Sequence, residues 1–159
     1  EEMIRRRLQP ADLDAIFGAP SVGARIRELI SASGGYPREI VRLLRAVLAE
    51  GAFPLGEAEL QSVLLEMGEP YRRVALAHGV TGVRLLARLH VEKRFVVDAT
   101  EREMVDHLVA NNLVLRYRND TDWVDLHPAV LHLDLVKRAI AELRASGGAL
   151  GPAVGTKPV

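Results

Sequence analysis

The sequence predicts a mainly α fold: a small helical bundle followed by a second helical unit that carries one β-hairpin. Apolar residues recur at the helical period along most of the chain, and Gly or Pro separates the periodic segments. One segment near residue 115 instead alternates apolar and polar side chains on both sides of a turn-prone stretch, as a hairpin does. At 159 residues the chain can bury the core of one ordinary domain or of two small ones.

The first unit, residues 1–52, is predicted to contain three helices separated by Gly and Pro. Pro10 is suited to the first turn of the first helix, and Ser21 can cap the second. The third helix is expected to begin at Tyr36 or Pro37, after a Gly-Gly turn. This arrangement predicts a compact helical bundle.

The second unit, residues 53–146, resumes the helical period around Gly68 and Pro70. Asp98 or Thr100 can cap a further helix, "EREMVDHLVANN". The alternating segment "LVLRYRNDTDWVDLH" follows, and Pro128 is expected to open one last helix. A hairpin directly after a helix is the order of a winged helix. The Gly/Pro-rich residues 147–159 are expected to form a disordered tail.

The composition narrows the possible functions. Acidic and basic residues balance at 21 each, so no global charge attracts nucleic acid or anionic lipid. The chain has no cysteine, which excludes disulfides, a thiolate nucleophile and a Cys-based zinc site. No apolar run reaches the roughly 20 residues that cross a bilayer, and the first residues lack the core of a signal peptide. We therefore expect a cytoplasmic protein without a membrane partner and, because no Met begins the sequence, part of a longer protein.

The sequence contains no recognisable catalytic or metal-binding motif. The segment "GAPSVG" has the glycine spacing of a phosphate loop, but Ala24 and Arg25 stand where Lys and Ser/Thr should bind phosphate and magnesium. The five histidines are scattered, and none forms the i, i+4 pair of a helical metal site. We expect neither catalysis nor a metal site in this chain.

Duplex DNA binding would require a basic helix ahead of the hairpin. In "TEREMVDHLVANN" Glu101, Glu103 and Asp106 outnumber Arg102, which disfavours contact with phosphates. Asn111 and Asn112 could in principle read bases, but asparagines at the end of a helix more often cap it. A winged-helix DNA-binding regulator and a protein–protein interaction module remain alternative interpretations.

The helix after the Gly-Gly turn carries a basic face, because Arg38, Arg42 and Arg45 are spaced four and three residues apart. Such a stripe is commonly solvated and paired with acids such as Glu39. A helix N-terminus behind two glycines is also a favourable place for an anion, since free amides and the helix dipole attract negative charge.

Two segments resemble parts of one protein family. "SGGYPREIVRLLRAVL" resembles the sensor-two segment in the helical lid of AAA+ and STAND-type P-loop ATPases, and "LVLRYRNDTDWVDLHPAVLHL" resembles the winged-helix domain that follows the lid in STAND proteins. The two segments occur in the family's order.

The resemblance implies a site and a set of partners. Pro37 would pack near adenine, Arg38 would sense the terminal phosphate and His127 would contact ADP, with Gly35 and Arg42 as accessory residues. The chain itself would hold no cofactor, whereas the full-length parent would bind ATP and ADP through an upstream P-loop domain. Its other partner would be further copies of itself. The sequence departs from the family pattern at Pro128, where Asp is usual, and Trp123 and Asp125 receive no role from the resemblance.

Overall fold

The computed structural model describes residues 2–95, 97–118 and 121–146. This part of the chain forms nine helices and one two-stranded hairpin: α1 (Glu2–Arg5), α2 (Pro10–Phe17), α3 (Val22–Ala32), α4 (Pro37–Ala49), α5 (Glu57–Ala77), α6 (Gly79–Glu92), α7 (Arg102–Ala110), β1 (Val114–Arg118), β2 (Asp122–Leu126), α8 (Pro128–Leu131) and α9 (Asp134–Ala145). The prediction of a mainly α fold with a single hairpin is confirmed. The tail predicted at residues 147–159 lies outside the described residues.

Three helices were predicted in the first unit and their starts are close to the observed ones, but α1 (Glu2–Arg5) was not predicted and one predicted cap is wrong. Pro10 begins α2 and Pro37 begins α4. Ser21 precedes α3 without making a side-chain capping hydrogen bond. Its backbone is helical, with φ −100° and ψ −15°, whereas a capping Ser has an extended backbone that directs its hydroxyl to the first free amides.

Helix α5 is a single helix of 21 residues that runs through Pro70. Pro has no N–H and interrupts the ladder of backbone hydrogen bonds. Two guanidinium groups bind carbonyl oxygens just ahead of it: Arg42 Nη2 donates to Met67 O at 2.7 Å, and Arg72 Nη2 donates to Leu65 O. The two guanidinium groups thus give hydrogen bonds to backbone carbonyl oxygens in the turn of α5 that precedes Pro70.

The prediction of one last helix is wrong, because the chain forms α8 and α9 with a break at residues 132–133. Leu133 is extended, with φ −67° and ψ 126°, and turns the chain between them. The two helices have different partners: α8 packs on α5 and α3, whereas α9 packs on α6. A straight helix could not reach both surfaces.

The buried side chains form two clusters. One lies among α1 to α4 and the first half of α5. The other lies among the second half of α5, α6, α7, the hairpin, α8 and α9. The clusters meet within α5, between Met67 and Tyr71. The domain boundary near residue 52 stays a prediction.

Candidate functional site

The Gly34–Gly35 turn ahead of α4 is held against the hairpin. Both glycines have positive φ, 62° and 76°. A Cβ atom added to Gly34 would lie 2.5 Å from Leu115 Cδ1, whereas one added to Gly35 would meet nothing within 4 Å. Gly34 is therefore required for close approach of β1, and Gly35 only for the backbone conformation.

Three aromatic residues join this turn to the hairpin. The Tyr36 hydroxyl donates to Arg116 O at 2.5 Å and accepts from Arg116 N at 2.7 Å. The Tyr117 hydroxyl donates to Gly34 O at 2.7 Å. The two tyrosine rings meet edge to face, with centroids 5.7 Å apart, and Trp123 stacks on Tyr117 at 4.1 Å. We call Tyr36, Tyr117 and Trp123 the aromatic clasp.

The clasp was missed from the sequence, which gave Trp123 no role. Burial, with the charge of Asp125 and the neighbouring Tyr36, raises the pKa of Tyr117 to about 12. The hydroxyl therefore remains a donor at neutral pH. The only available signal was the β1–β2 register, which places Tyr117 opposite Trp123 once the strands are paired.

Asp125, the other residue without a predicted role, connects β2 to the end of α6. Its carboxylate lies 2.6 Å from His90 Nδ1 and 2.6 Å from Lys93 Nζ. Burial raises the pKa of this carboxyl, but the hydrogen bonds from Lys93, His90 and the amide of Leu126 outweigh it and lower the pKa overall. Asp125 is therefore an ionised structural contact.

The residues proposed at the start of α4 are exposed. Gly35, Pro37 and Arg38 all lie at the surface. Arg38 lines an open cleft of about 360 Å³ together with Arg42, Tyr71, Asn111 and Asn112.

The two asparagines end α7, as predicted. Asn111 Nδ2 donates to His107 O at 2.9 Å, and Asn112 has a left-handed backbone with φ 57°. The Asn111 side chain thus caps the end of α7, and both asparagines line the cleft beside Arg38.

Arg42 turns inward from the basic face. Its Nε lies 3.2 Å from the Glu39 carboxylate, and its guanidinium carbon lies 5.3 Å from the centroid of the Tyr71 ring. Glu39 is only 7% exposed. Burial raises the pKa of Tyr71, and a hydrogen bond to Glu39 raises it further. Arg42, Glu39 and Tyr71 thus form a polar cluster where the two cores meet, which matches the expected pairing of this face with Glu39.

His127 lies on the same Tyr71 ring. The two rings stack with centroids 3.9 Å apart and planes 19° apart, and His127 is 3% exposed. Its Nδ1 accepts from Ala129 N at 3.2 Å and so caps α8, which Pro128 begins. Because Nδ1 accepts, the proton of the neutral ring resides on Nε2.

The Nε2 atom of His127 is buried and has no hydrogen-bond partner among the described residues. His127, Tyr71, Glu39 and Arg42 line a cavity of about 20 Å³. This volume can hold one water molecule, and the four polar side chains in an otherwise apolar lining could bind it. Burial and the charge of Arg42 lower the pKa of His127 to about 4, so the ring is neutral at physiological pH.

The structure therefore brings together two of the five predicted site residues and places a third close by. Arg42 and His127 both contact Tyr71, and Arg38 lines the same cleft as Tyr71. The sequence missed Tyr71, the residue that connects them. Tyr71 lies on the next helix, 29 positions after Arg42 and 56 positions before His127, and no sequence pattern links residues at these separations.

Two other histidines contact each other through ring nitrogens. His78 Nε2 and His107 Nδ1 lie 2.8 Å apart on the surface, a pair that sequence spacing did not reveal. In the described part of the chain, no three His, Asp or Glu side chains are grouped so that they could hold a metal ion.

Comparison with known protein families, curated proteins and solved structures found no match. None of the helices in residues 2–95, 97–118 and 121–146 combines the length and the apolar character needed to span a membrane.

Proposed function

We propose that this chain is a non-catalytic regulatory portion of an AAA+/STAND-like ATPase, a helical lid followed by a winged helix. It would couple the nucleotide state of an upstream P-loop domain to conformational change or oligomerisation. The observation that carries the proposal is the convergence of Arg42 and His127 on Tyr71, with Arg38 at the adjoining cleft. Arg42 belongs to the first segment that resembles the family and His127 to the second, so the Tyr71 ring contacts both segments.

Arg38 is suited to meet an anion brought by another domain. It is exposed in the first turn of α4, and no carboxylate among the described residues forms an ion pair with it. A phosphate placed there would gain from the guanidinium and from the free amides of the helix start.

A displacement of α4 would be transmitted to the second unit by two routes. The aromatic clasp ties the turn before α4 to the hairpin, and Arg42 ties α4 to α5 through Met67 O. ATP and ADP would shift the population of lid arrangements only to the extent that they bind those arrangements with different affinity. Arg38 would supply that difference at the terminal phosphate.

His127 would act mainly as an internal support in the arrangement described. Its ring is buried between Tyr71 and the start of α8, so a direct contact with ADP would require α8 to move away from α5. The ADP contact of His127 and the packing of Pro37 near adenine stay predictions.

The test uses the parent protein that carries the upstream P-loop domain. Arg38→Ala is expected to reduce the difference between the ATP and ADP affinities and to weaken nucleotide-dependent assembly, measured by titration with labelled nucleotide and by light scattering. Arg45→Ala is the control, because Arg45 is an exposed arginine further along the same helix. An Arg38→Ala protein with wild-type affinities and assembly would refute the proposal.

A further inference from the structure

A cleft of about 460 Å³ lies beside the hairpin, away from Arg38 and His127. One wall is the segment Lys93–Phe95 that follows α6, and the other is formed by both strands of the hairpin. Val124 N donates to Lys93 O at 3.0 Å, which holds this segment along the edge of β2. The cleft is thus shaped by backbone pairing and does not depend on a free loop.

The lining of the cleft is strongly basic. Four of its side chains are cations, Lys93, Arg94, Arg116 and Arg118, and one is an acid, Asp122. Lys93 pairs with Asp125 and Arg118 pairs with Asp122. Within the described residues, no carboxylate forms an ion pair with either of the other two, Arg94 and Arg116, both of which are exposed.

The same cleft contains three of the chain's aromatic side chains, Phe95, Tyr117 and Trp123. The guanidinium of Arg116 lies over the Phe95 ring, 4.7 Å from its centroid. Phe95 is 36% exposed and Trp123 is partly exposed, so both rings are accessible beside the arginines. Unpaired arginines beside accessible rings are the combination that binds the backbone and the bases of a single strand.

We propose that this cleft binds single-stranded nucleic acid, with phosphates on Arg94 and Arg116 and a base against Phe95 or Trp123. This surface differs from the helix ahead of the hairpin, on which duplex readers depend. On α7 the exposed side chains include Glu103 and Asp106, which repel phosphate. The inference does not rest on the lid proposal, since neither Arg38 nor His127 takes part in it.

Trp123 provides a direct reporter, because it is the only tryptophan in the chain. Addition of a short oligothymidylate to the chain is expected to quench its emission and to raise the anisotropy of a labelled strand in parallel. Two phosphate contacts on a single strand give a salt slope of roughly −1.4, so the affinity should fall about sevenfold between about 50 mM and about 200 mM salt.

Charge reversal tests the arginines. Arg94→Glu is expected to weaken binding at least about fivefold and to flatten the salt slope by roughly 0.7, the share of one contact. Arg27→Glu is the matched control, since Arg27 is an exposed arginine on α3 and the change in net charge is the same. Equal affinities of the two variants would overturn the proposal.

Truncation of Phe95 tests stacking. Phe95→Ala is expected to weaken oligothymidylate binding about fivefold or more, because base–aromatic stacking contributes at least that much. Inorganic polyphosphate, which has charge without bases, should bind the wild-type chain more weakly than the oligonucleotide and should be insensitive to Phe95→Ala. Polyphosphate binding as tight as oligonucleotide binding, duplex binding as tight as single-strand binding, or no binding at low salt would each refute the proposal.

Discussion

The docking of the hairpin on the Gly34–Gly35 turn can be measured with two adjacent substitutions. Both glycines have a left-handed backbone, so Ala at either position costs about 1–2 kcal/mol in conformational energy. At Gly34 the new methyl group would also lie 2.5 Å from Leu115 Cδ1, 3.1 Å from Tyr117 Oη and 3.2 Å from Pro128 Cδ. Overpacking of this kind costs a further ~1–3 kcal/mol. We therefore expect Gly34→Ala to destabilise the chain by about 2–5 kcal/mol and Gly35→Ala by about 1–2 kcal/mol.

The assay is urea unfolding followed by circular dichroism for the wild type and the two variants. Gly35→Ala is the internal control, since it carries the same backbone cost and its Cβ meets nothing within 4 Å. For a chain of 159 residues, the extra loss at Gly34 corresponds to a melting temperature lower by about 2–4 °C for each kcal/mol. Equal losses of stability at the two positions would refute the inference that β1 packs directly on Gly34.

Three further predictions concern the aromatic clasp, His127 and Asp125. Tyr36→Phe removes the hydroxyl that bonds Arg116 N and O, and should lower the free energy of unfolding by about 1 kcal/mol in urea titrations; an unchanged midpoint would contradict the observed contact. Because burial lowers the pKa of His127 to about 4, the unfolded chain binds more protons than the folded chain between about pH 6.5 and pH 4. The free energy of unfolding should therefore fall as the pH drops through this window, with His127 contributing about 3 kcal/mol of the loss. His127→Gln should remove the contribution of His127, and parallel pH profiles of the wild type and this variant would count against a buried neutral ring. Asp125→Asn replaces an ionised carboxylate that contacts Lys93 and His90, and should cost about 1–3 kcal/mol at neutral pH, measured by thermal unfolding; an unchanged melting temperature would show that these contacts contribute little.

Most helices were predictable because their signals are local. Pro10 and Pro37 fix φ for a first helical turn, and both begin helices in the structure. The hairpin was predictable because alternation on both sides of a turn-prone segment is a property of neighbouring residues.

Two predictions failed, and for one of them the packing of the helices supplies the reason. The break between α8 and α9 has no Gly or Pro within it, and arises because α8 packs on α5 and α3 while α9 packs on α6. Ser21 has the right chemistry for a cap, but its backbone is helical and its hydroxyl makes no capping bond.

The candidate site was only partly accessible to sequence reasoning. Arg42 and His127 were named, but Tyr71 was not, although it contacts both. The basic cleft was also missed, because Arg94, Phe95 and Trp123 are brought together only when the segment after α6 pairs with β2. The balance of acidic and basic residues over the whole chain gives no sign of this local basic patch. Asp125 pairs with Lys93, and no described carboxylate pairs with Arg94 or Arg116.

The sequence by itself therefore determined the helical class, the position of the hairpin and the turn that begins α4. These depend on short-range sterics, hydrogen bonding and periodicity, which act between residues a few positions apart. Only the tertiary structure shows what Tyr36 contacts, since its hydroxyl bonds the backbone of Arg116 in β1, 80 residues away. Partners at that separation are selected by packing of the whole chain, and no local pattern records them.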